Sequence, residues 1–159
     1  MSESIARASV AENMRSVFIH AEAGDNLLQV AQVMQVARIR HLPVLRDGVL
    51  VGILSHRDVL EYSASPLDGT LAERLEPLRS IPVTRVMHTG VHGIAPDATL
   101  AEAAREMLRY KIGCLPVVLA ESAGDRMVGL LTESDLLAAA YLPRVDARTL
   151  EPCIAGAVR

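Results

Sequence analysis

The sequence is poor in aromatic residues, in cysteines and in long apolar runs. Aromatic residues make up 3% of the chain and tryptophan is absent, which argues against the aromatic stacking platforms that bind single-stranded nucleic acid. Two cysteines imply no disulfide framework. No apolar run approaches the roughly 18 residues that a membrane span requires, and the N-terminal stretch lacks the apolar core of a signal peptide. These absences favour a soluble, cytoplasmic protein without membrane association.

Charge and catalytic motifs are equally sparse. The formal net charge of −3 gives no basic footprint for nucleic acid. The histidines and cysteines show no CxxC or HExxH spacing for a metal, and no GxSxG turn or glycine-rich phosphate loop occurs. We therefore expect no enzyme, no catalytic residue, no metal site and no required cofactor. With 159 residues, half of them hydrophobic, the chain forms one domain or two small halves that share a core.

One motif occurs twice: a glycine, two aliphatic residues, a hydroxyl residue, two polar residues and an aspartate. The copies are Gly52–Asp58 and Gly129–Asp135. Each follows a short apolar run and precedes a helix-like stretch, so Ser55 and Thr132 are predicted helix N-caps, with Asp58 and Asp135 in the first helical turn. Glycine in a strand lets another group approach the backbone closely. The motif indicates either two capped helices or two polyol or phosphate sites.

The repeat extends through most of the chain. Residues match at a spacing of 73 in the first part of each copy, as Met14 matches Met87, and at 77 from Gly52 onward. The four additional residues are expected within the polar stretch 120–126. Two copies favour a closed pair with pseudo-two-fold symmetry over an open array. The predicted organisation is a first repeat at 8–63, a linker at 64–80, a second repeat at 81–141 and a tail at 142–159.

Each copy is predicted to fold as β-α-β-β-α, which gives an α+β protein of α/β type. The first strands are expected at Phe18–Ala21 and Val91–Ala95, and the first helices at Leu27–Arg38 and Leu100–Tyr110. Asn26 with Gln29, and Thr99 with Glu102, have the spacing of capping boxes. Hairpins follow; in the first copy Leu42–Leu45 and Val49–Leu54 flank Arg46-Asp47-Gly48, where Asp-Gly is typical of a tight turn.

The first helix of the first copy is apolar nearly all round. Its polar residues, Gln29, Gln32, Gln35 and Arg38, occur every third position and form only a narrow stripe. Such a helix buries more than one face. The alternatives are a deeper position in the core and a homodimer contact, for which Val33 and Val36 are the candidate residues.

Taken in order, these pieces resemble a tandem pair of CBS domains, named after cystathionine β-synthase. The resemblance rests on Leu-Pro-Val in the second strand, Val-Gly-Ile/Leu-Leu in the third and Ser/Thr-x-x-Asp entering the last helix, and it covers about residues 9 to 141. It implies a stand-alone regulatory module with two clefts between its repeats. In this family such clefts commonly bind AMP, ADP, ATP or S-adenosylmethionine, and the pairs usually form dimers.

The resemblance also implies ligand-binding roles for particular residues. Asp58 and Asp135 match the aspartate that holds the ribose hydroxyls, since an ionised carboxylate can accept from two vicinal hydroxyls. Ser55 and Thr132 match the hydroxyl that contacts phosphate or ribose. Backbone groups that grip the adenine map to Ser16, Val17 and Phe18 and to Thr89, Gly90, Val91 and His92.

Basic residues for phosphate map mainly to the first copy. The positions before Leu-Pro-Val are Arg40 and His41 in the first copy, but Gly113 and Cys114 in the second, which departs from the family pattern. Arg57, together with His56, adds positive charge inside the first motif. The alternative is that Arg57 and His56 are simply solvated, and that both aspartates are structural caps.

The function expected from the sequence is a sensor of a cytoplasmic adenosine ligand that acts through a population shift. An unknown effector protein would read the changed surface or the tail. The main alternative is a structural dimerisation module without a physiological nucleotide, and a third is an adenylate hydrolase.

Overall fold

The structure, a computed structural model, describes residues 7–63, 70, 73 and 75–142. Its elements in chain order are β1 (Ala21–Glu22), α1 (Leu27–Ala37), β2 (His41–Arg46), β3 (Val49–Ser55), α2 (His56–Tyr62), α3 (Leu100–Tyr110), β4 (Cys114–Glu121), β5 (Gly124–Thr132) and α4 (Glu133–Tyr141). Short 3-10 helices, Glu76–Ser80 and Val83–Arg85, lie between α2 and α3. Within these residues five strands form a mixed sheet in the order β1-β2-β3-β5-β4, which confirms the predicted α+β class. None of the described helices has the length and apolar character needed to cross a bilayer.

The chain divides into two compact units that exchange their opening segments. Of the described residues, the first unit contains those within 19–91 and 120–127, and the second contains those within 7–18, 92–119 and 128–142. Residues that open each predicted repeat, 8–18 and 81–91, therefore belong to the unit built around the other repeat. Each unit thus takes residues from both repeats.

Each unit has its own apolar core, and matching residues fill the two cores. Leu42 and Val44 of the first unit are 1% and 0% exposed, and Leu115 and Val117 of the second are likewise 1% and 0% exposed. The Leu-Pro-Val motif is thus a core motif. The segments that open the two repeats complete these cores. Val83, from the opening of the second repeat, packs in the first core, and Val10, from the opening of the first repeat, packs in the second.

All four described α-helices begin with a capping box. The pairs are Asn26 with Gln29, Ser55 with Asp58, Thr99 with Glu102, and Thr132 with Asp135. In each pair, the side chain of the N-cap residue accepts a hydrogen bond from the backbone N–H of the residue three positions later. The side chain of that later residue accepts a hydrogen bond from the backbone N–H of the N-cap residue. The predicted caps are therefore confirmed. The first helix ends one residue earlier than predicted, because Arg38 adopts a left-handed conformation with φ 53°.

The two hairpins differ in length, and the difference accounts for the shift in repeat spacing. Strands β2 and β3 have 6 and 7 residues, whereas β4 and β5 have 8 and 9. The first hairpin turns at Asp47 and Gly48, both with positive φ, as the Asp-Gly signal predicts. The longer hairpin carries its tip, 120–127, into the first unit, where Arg126 pairs with Val49.

The predicted first strands are wrong in position and extent. The first copy has only β1, which pairs in parallel with β2 at Val44 and Leu45. In the second copy the equivalent segment makes a single parallel bridge between Ile94 and Val117. The physical cause lies in the flanking turns. Asp25 folds back on Glu22 through two hydrogen bonds, and Pro96 offers no N–H to a ladder.

Helix α1 has a buried face and a partly exposed apolar face. Its buried residues are Leu27, Leu28, Val30, Ala31 and Met34, whereas Val33 and Val36 are 36% and 68% exposed. The core of this chain therefore does not account for the extra apolar face. Of the predicted linker, residues 64–69, 71, 72 and 74 lie outside the described residues, as does the predicted tail after Leu142.

Candidate functional site

In each unit, the repeated glycine lets the exchanged opening segment approach the central strand. A Cβ atom at Gly52 would lie 2.5 Å from Met87 Sδ and 3.0 Å from the His88 carbonyl. At Gly129 it would collide with Met14 Sδ and lie 3.1 Å from the Arg15 carbonyl. The close approach predicted from the glycines is confirmed, and the approaching group is the chain itself.

Paired backbone hydrogen bonds fix the residue that follows each methionine. The N–H groups of His88 and Ile53 donate to each other's carbonyls at 2.9 and 3.0 Å. In the second unit the N–H groups of Arg15 and Leu130 do the same, also at 2.9 and 3.0 Å. The two backbones are therefore held in the same way in both units.

The Asp58 carboxylate is the centre of the first candidate site. Its Oδ2 accepts from the Ser55 N–H at 2.7 Å, and its Oδ1 lies 3.0 Å from His88 Nε2. The Asp58 side chain is 12% exposed. Burial by itself would raise the pKa of Asp58, but hydrogen bonds from Ser55, and then His88, outweigh it and lower that pKa below its ordinary value. Asp58 is thus held as an anion.

The Asp135 carboxylate occupies the same position in the second unit. Its Oδ2 accepts from the Thr132 N–H at 2.8 Å and from the Thr132 hydroxyl at 2.6 Å. Its Oδ1 accepts from Arg15 Nε at 3.0 Å, and its side chain is also 12% exposed. Both carboxylates therefore combine a helix-capping role with a contact to a basic side chain.

Arg15 and His88 are the site residues that the sequence analysis did not predict. They stand 73 residues apart and directly follow Met14 and Met87, which the repeat comparison had already matched. The signal was therefore present. It was missed because an arginine and a histidine after a core methionine read as surface residues until their partners are known.

The predicted phosphate-binding residues lie in the first unit with Asp58. Arg40 is exposed and its carbonyl accepts from the His56 N–H at 2.8 Å, while His41 pairs with Ser55 across the hairpin. Arg57 is exposed on α2. The structure thus brings these basic residues to the hairpin end and helix that position Asp58.

The second unit is not basic at the equivalent positions. Gly113 stands where the first unit has Arg40, and its carbonyl accepts from the Glu133 N–H at 3.1 Å. A Cβ at Gly113 would lie 3.4 Å from a Glu133 carboxylate oxygen. Cys114 is buried, and burial together with the Glu133 charge raises the pKa of its thiol to about 11. This thiol is a core side chain and stays protonated at neutral pH.

The predicted adenine-binding segments divide between the units. Ser16, Val17 and Phe18 follow Arg15 in the second unit, and Val17 is 90% exposed. Thr89, Gly90 and Val91 follow His88 in the first unit. His92 falls in the second unit, where its ring stacks on Tyr110 at 3.7 Å between centroids. The segment that opens one repeat therefore accompanies the aspartate of the other.

Comparison with known proteins gives the family of both repeats. The sequence matches the CBS domain over residues 8–65 and 78–141. A CBS domain-containing protein of Dictyostelium discoideum is 36% identical over 116 residues, which cover 71% of this chain and 78% of that protein.

Two solved structures with bound ligands have the same fold. CBSX2 in complex with AMP has a TM-score of 0.67 at 23% identity, covering 83% of this chain and 95% of that one. The CBS domain pair of MJ0100, in complex with 5-methylthioadenosine and S-adenosyl-L-methionine, has a TM-score of 0.62 at 23% identity, covering 82% and 97%. With both of its repeats matched and this fold shared, the chain belongs to the CBS domain family and carries a tandem pair of these domains.

Proposed function

We propose that the chain is a regulatory module that binds an adenosine-containing ligand, namely AMP, ADP, ATP or S-adenosylmethionine, at Asp58 and Asp135. The observation that carries this proposal is the matched geometry of the two carboxylates. Each carboxylate has low exposure and follows the end of a hairpin strand, and each has one oxygen outside its capping box. The ligands in the CBSX2 and MJ0100 structures support an adenosine moiety.

Each candidate site contains residues from both repeats, which supports a regulatory role. Asp58 lies in the first repeat and its partner His88 opens the second, while Asp135 and Arg15 have the converse arrangement. A ligand at either carboxylate therefore contacts both repeats within one unit. Such a ligand shifts the population between two states by its difference in affinity for them. An effector protein would read the result.

A thermal-shift panel with adenosine, AMP, ADP, ATP and S-adenosylmethionine tests the proposal. A specific ligand at 100 times its dissociation constant stabilises the fold by about 2.7 kcal/mol. The shift should be lost when Asp58→Ala and Asp135→Ala are combined. Glu102→Ala is the matched control, because it breaks the same kind of capping box at the start of α3, a helix that carries neither carboxylate. A panel without any shift would instead favour the structural module.

The basic residues of the first unit are proposed to bind phosphate. Arg40 and Arg57 are exposed and accompany Asp58, so Arg40→Ala or Arg57→Ala should weaken ATP binding more than adenosine binding. The loss should shrink as salt rises, because exposed charges are screened. Calorimetry of both ligands measures the difference, and equal losses for ATP and adenosine would exclude the phosphate role.

We also propose that the chain forms a homodimer through α1. This dimer is expected whether the chain is a ligand-binding module or the alternative, a structural dimerisation module. Val33 and Val36 are 36% and 68% exposed, whereas Glu106 and Arg109 stand at the equivalent positions of α3. A carboxylate on a buried apolar interface costs several kcal/mol unless it is paired. Val33→Glu and Val36→Glu should therefore give folded monomers in sedimentation at micromolar concentration.

The matched control for the dimer is Leu119→Glu. Leu119 is an apolar residue on β4, and its 38% exposure is similar to that of Val33. This variant should remain dimeric. A wild-type monomer at micromolar concentration would contradict the dimer proposal and leave the ligand proposal untouched.

A further inference from the structure

We propose that Arg15 restricts access to the Asp135 carboxylate, so that the second candidate site binds adenosine more weakly than the first, where His88 stands at the equivalent position. This inference rests on the proposed function, since it concerns the same two carboxylates. It assigns to Arg15 and His88 the role of setting unequal affinities in two otherwise matched sites.

The first argument counts hydrogen-bond acceptor positions on Asp135. An ionised carboxylate offers about four lone-pair positions, two on each oxygen. The Thr132 N–H and hydroxyl fill both positions on Oδ2, at 2.8 and 2.6 Å, and Arg15 Nε takes one on Oδ1 at 3.0 Å. One position remains. A vicinal diol donates two hydrogen bonds, so the diol cannot bind fully until Arg15 withdraws.

The second argument is that Arg15 can withdraw without disturbing the fold. Its backbone is fixed by two hydrogen bonds to Leu130, and Met14 packs beside it against Gly129. Its side chain, in contrast, is 47% exposed. Opening the carboxylate therefore requires only rotation of one side chain into solvent. The cost is the loss of a charge-assisted hydrogen bond to a carboxylate of low exposure.

The third argument is the difference between the two basic partners. A guanidinium carries its charge at every physiological pH, whereas an imidazole is charged only when protonated. The His88 side chain is 70% exposed, against 47% for Arg15. His88 therefore gives up its carboxylate at a lower cost. The first site opens more readily to a diol, and the second is held closed by a permanent charge.

Calorimetry with adenosine at neutral pH tests the inference, because adenosine has the diol but no phosphate for Arg15 to contact. The second site is isolated in an Asp58→Ala background, and Arg15→Ala, Arg15→His and Arg15→Lys are compared there. Removal of the competitor should tighten adenosine binding roughly three- to tenfold in Arg15→Ala. Arg15→His should show part of that gain, and Arg15→Lys should stay close to the parent.

The reciprocal exchange is made at the first site. In an Asp135→Ala background, His88→Arg should weaken adenosine binding by a similar factor, because it places a permanent charge on Asp58. A purely structural role for these residues would weaken binding in both exchanges. Tighter adenosine binding in Arg15→His together with weaker binding in His88→Arg is therefore expected only if the basic side chain competes with the diol for the carboxylate. Thermal unfolding of each variant establishes that it is folded.

Each outcome separates the inference from the proposed function. If the parent binds adenosine and Arg15→Ala binds it equally or less tightly, the inference is wrong and the proposed function stands. If only Arg15→Ala binds at Asp135, the inference is supported and the parent's second site is not an adenosine site. If no protein in either series binds adenosine, both are overturned.

Discussion

The two units share their construction to the level of single hydrogen bonds, but they differ in charge. In both, a core methionine packs on a strand glycine, the next residue bonds to that strand twice, and a capping box presents an aspartate. Around that frame the first unit carries Arg40, His56, Arg57 and His88, where the second carries Gly113, Glu133, Ser134 and Arg15. The frame is common to the two copies, whereas the side chains around the carboxylate are not.

This contrast indicates two kinds of position within the repeat. Side chains that fill the cores or cap the helices are alike in the two copies, because a change there costs stability in its own unit. The side chains that surround the carboxylate without packing in a core differ between the two copies. The matched positions should therefore respond alike to mutation in both units, and the unmatched positions should not.

The largest expected effect is on the matched core. Leu54 and Leu131 follow the third-strand glycines at the same distance, and both are 0% exposed. Leu54→Ala and Leu131→Ala should each lower the free energy of unfolding by about 2–5 kcal/mol through lost burial and an unfilled cavity. Chemical denaturation measures both. Leu60→Ala, at a residue 53% exposed, is the control and should change stability by no more than about 0.5 kcal/mol.

A smaller effect is expected at the matched glycines. A Cβ at Gly52 meets Met87 Sδ at 2.5 Å and the His88 carbonyl at 3.0 Å. The methionine can move aside, but the His88 backbone is held to Ile53 by two hydrogen bonds, one of which its carbonyl accepts. Gly52→Ala should therefore cost about 1–3 kcal/mol. Gly129→Ala should cost the same.

Gly24→Ala is the control for these glycine variants, since nothing lies within 4 Å of its Cβ. Shortening of the methionine in Gly52→Ala/Met87→Ala should recover only part of the loss. Full recovery would show that the side chain, and not the paired backbone, limits this position.

The smallest effect is the pH dependence of the Asp58 contribution. The pKa of Asp58 is lowered in the folded protein, so its ionised carboxylate adds to the free energy of unfolding. This contribution is fully present when the pH is above the ordinary pKa of 3.8, and it is lost as the pH falls through the folded pKa. Asp58→Asn removes the titrating group. The stability difference between wild type and Asp58→Asn should therefore shrink as the solution is acidified from neutral pH. Parallel pH profiles of the two proteins in urea unfolding would contradict this assignment.

The sequence predicted the repeated frame because the frame depends on local signals. Capping boxes, the Asp-Gly turn and the strand glycines each depend on a few neighbouring residues, and all appear where predicted. The short first strands were misplaced because two-residue pairing leaves little pattern. The partners of the aspartates were missed because Arg15 and His88 lie 120 and 30 residues away from them, and no local pattern records an exchange of segments between units.

The most direct test of the central claim is calorimetric titration of the wild-type protein with adenosine and with 2′-deoxyadenosine. If Asp58 and Asp135 accept both ribose hydroxyls, loss of one charge-assisted hydrogen bond costs about 1.5–3 kcal/mol. Adenosine should then bind about ten- to a hundred-fold more tightly than its deoxy analogue. Equal affinities would contradict the account and leave the two aspartates as helix caps alone.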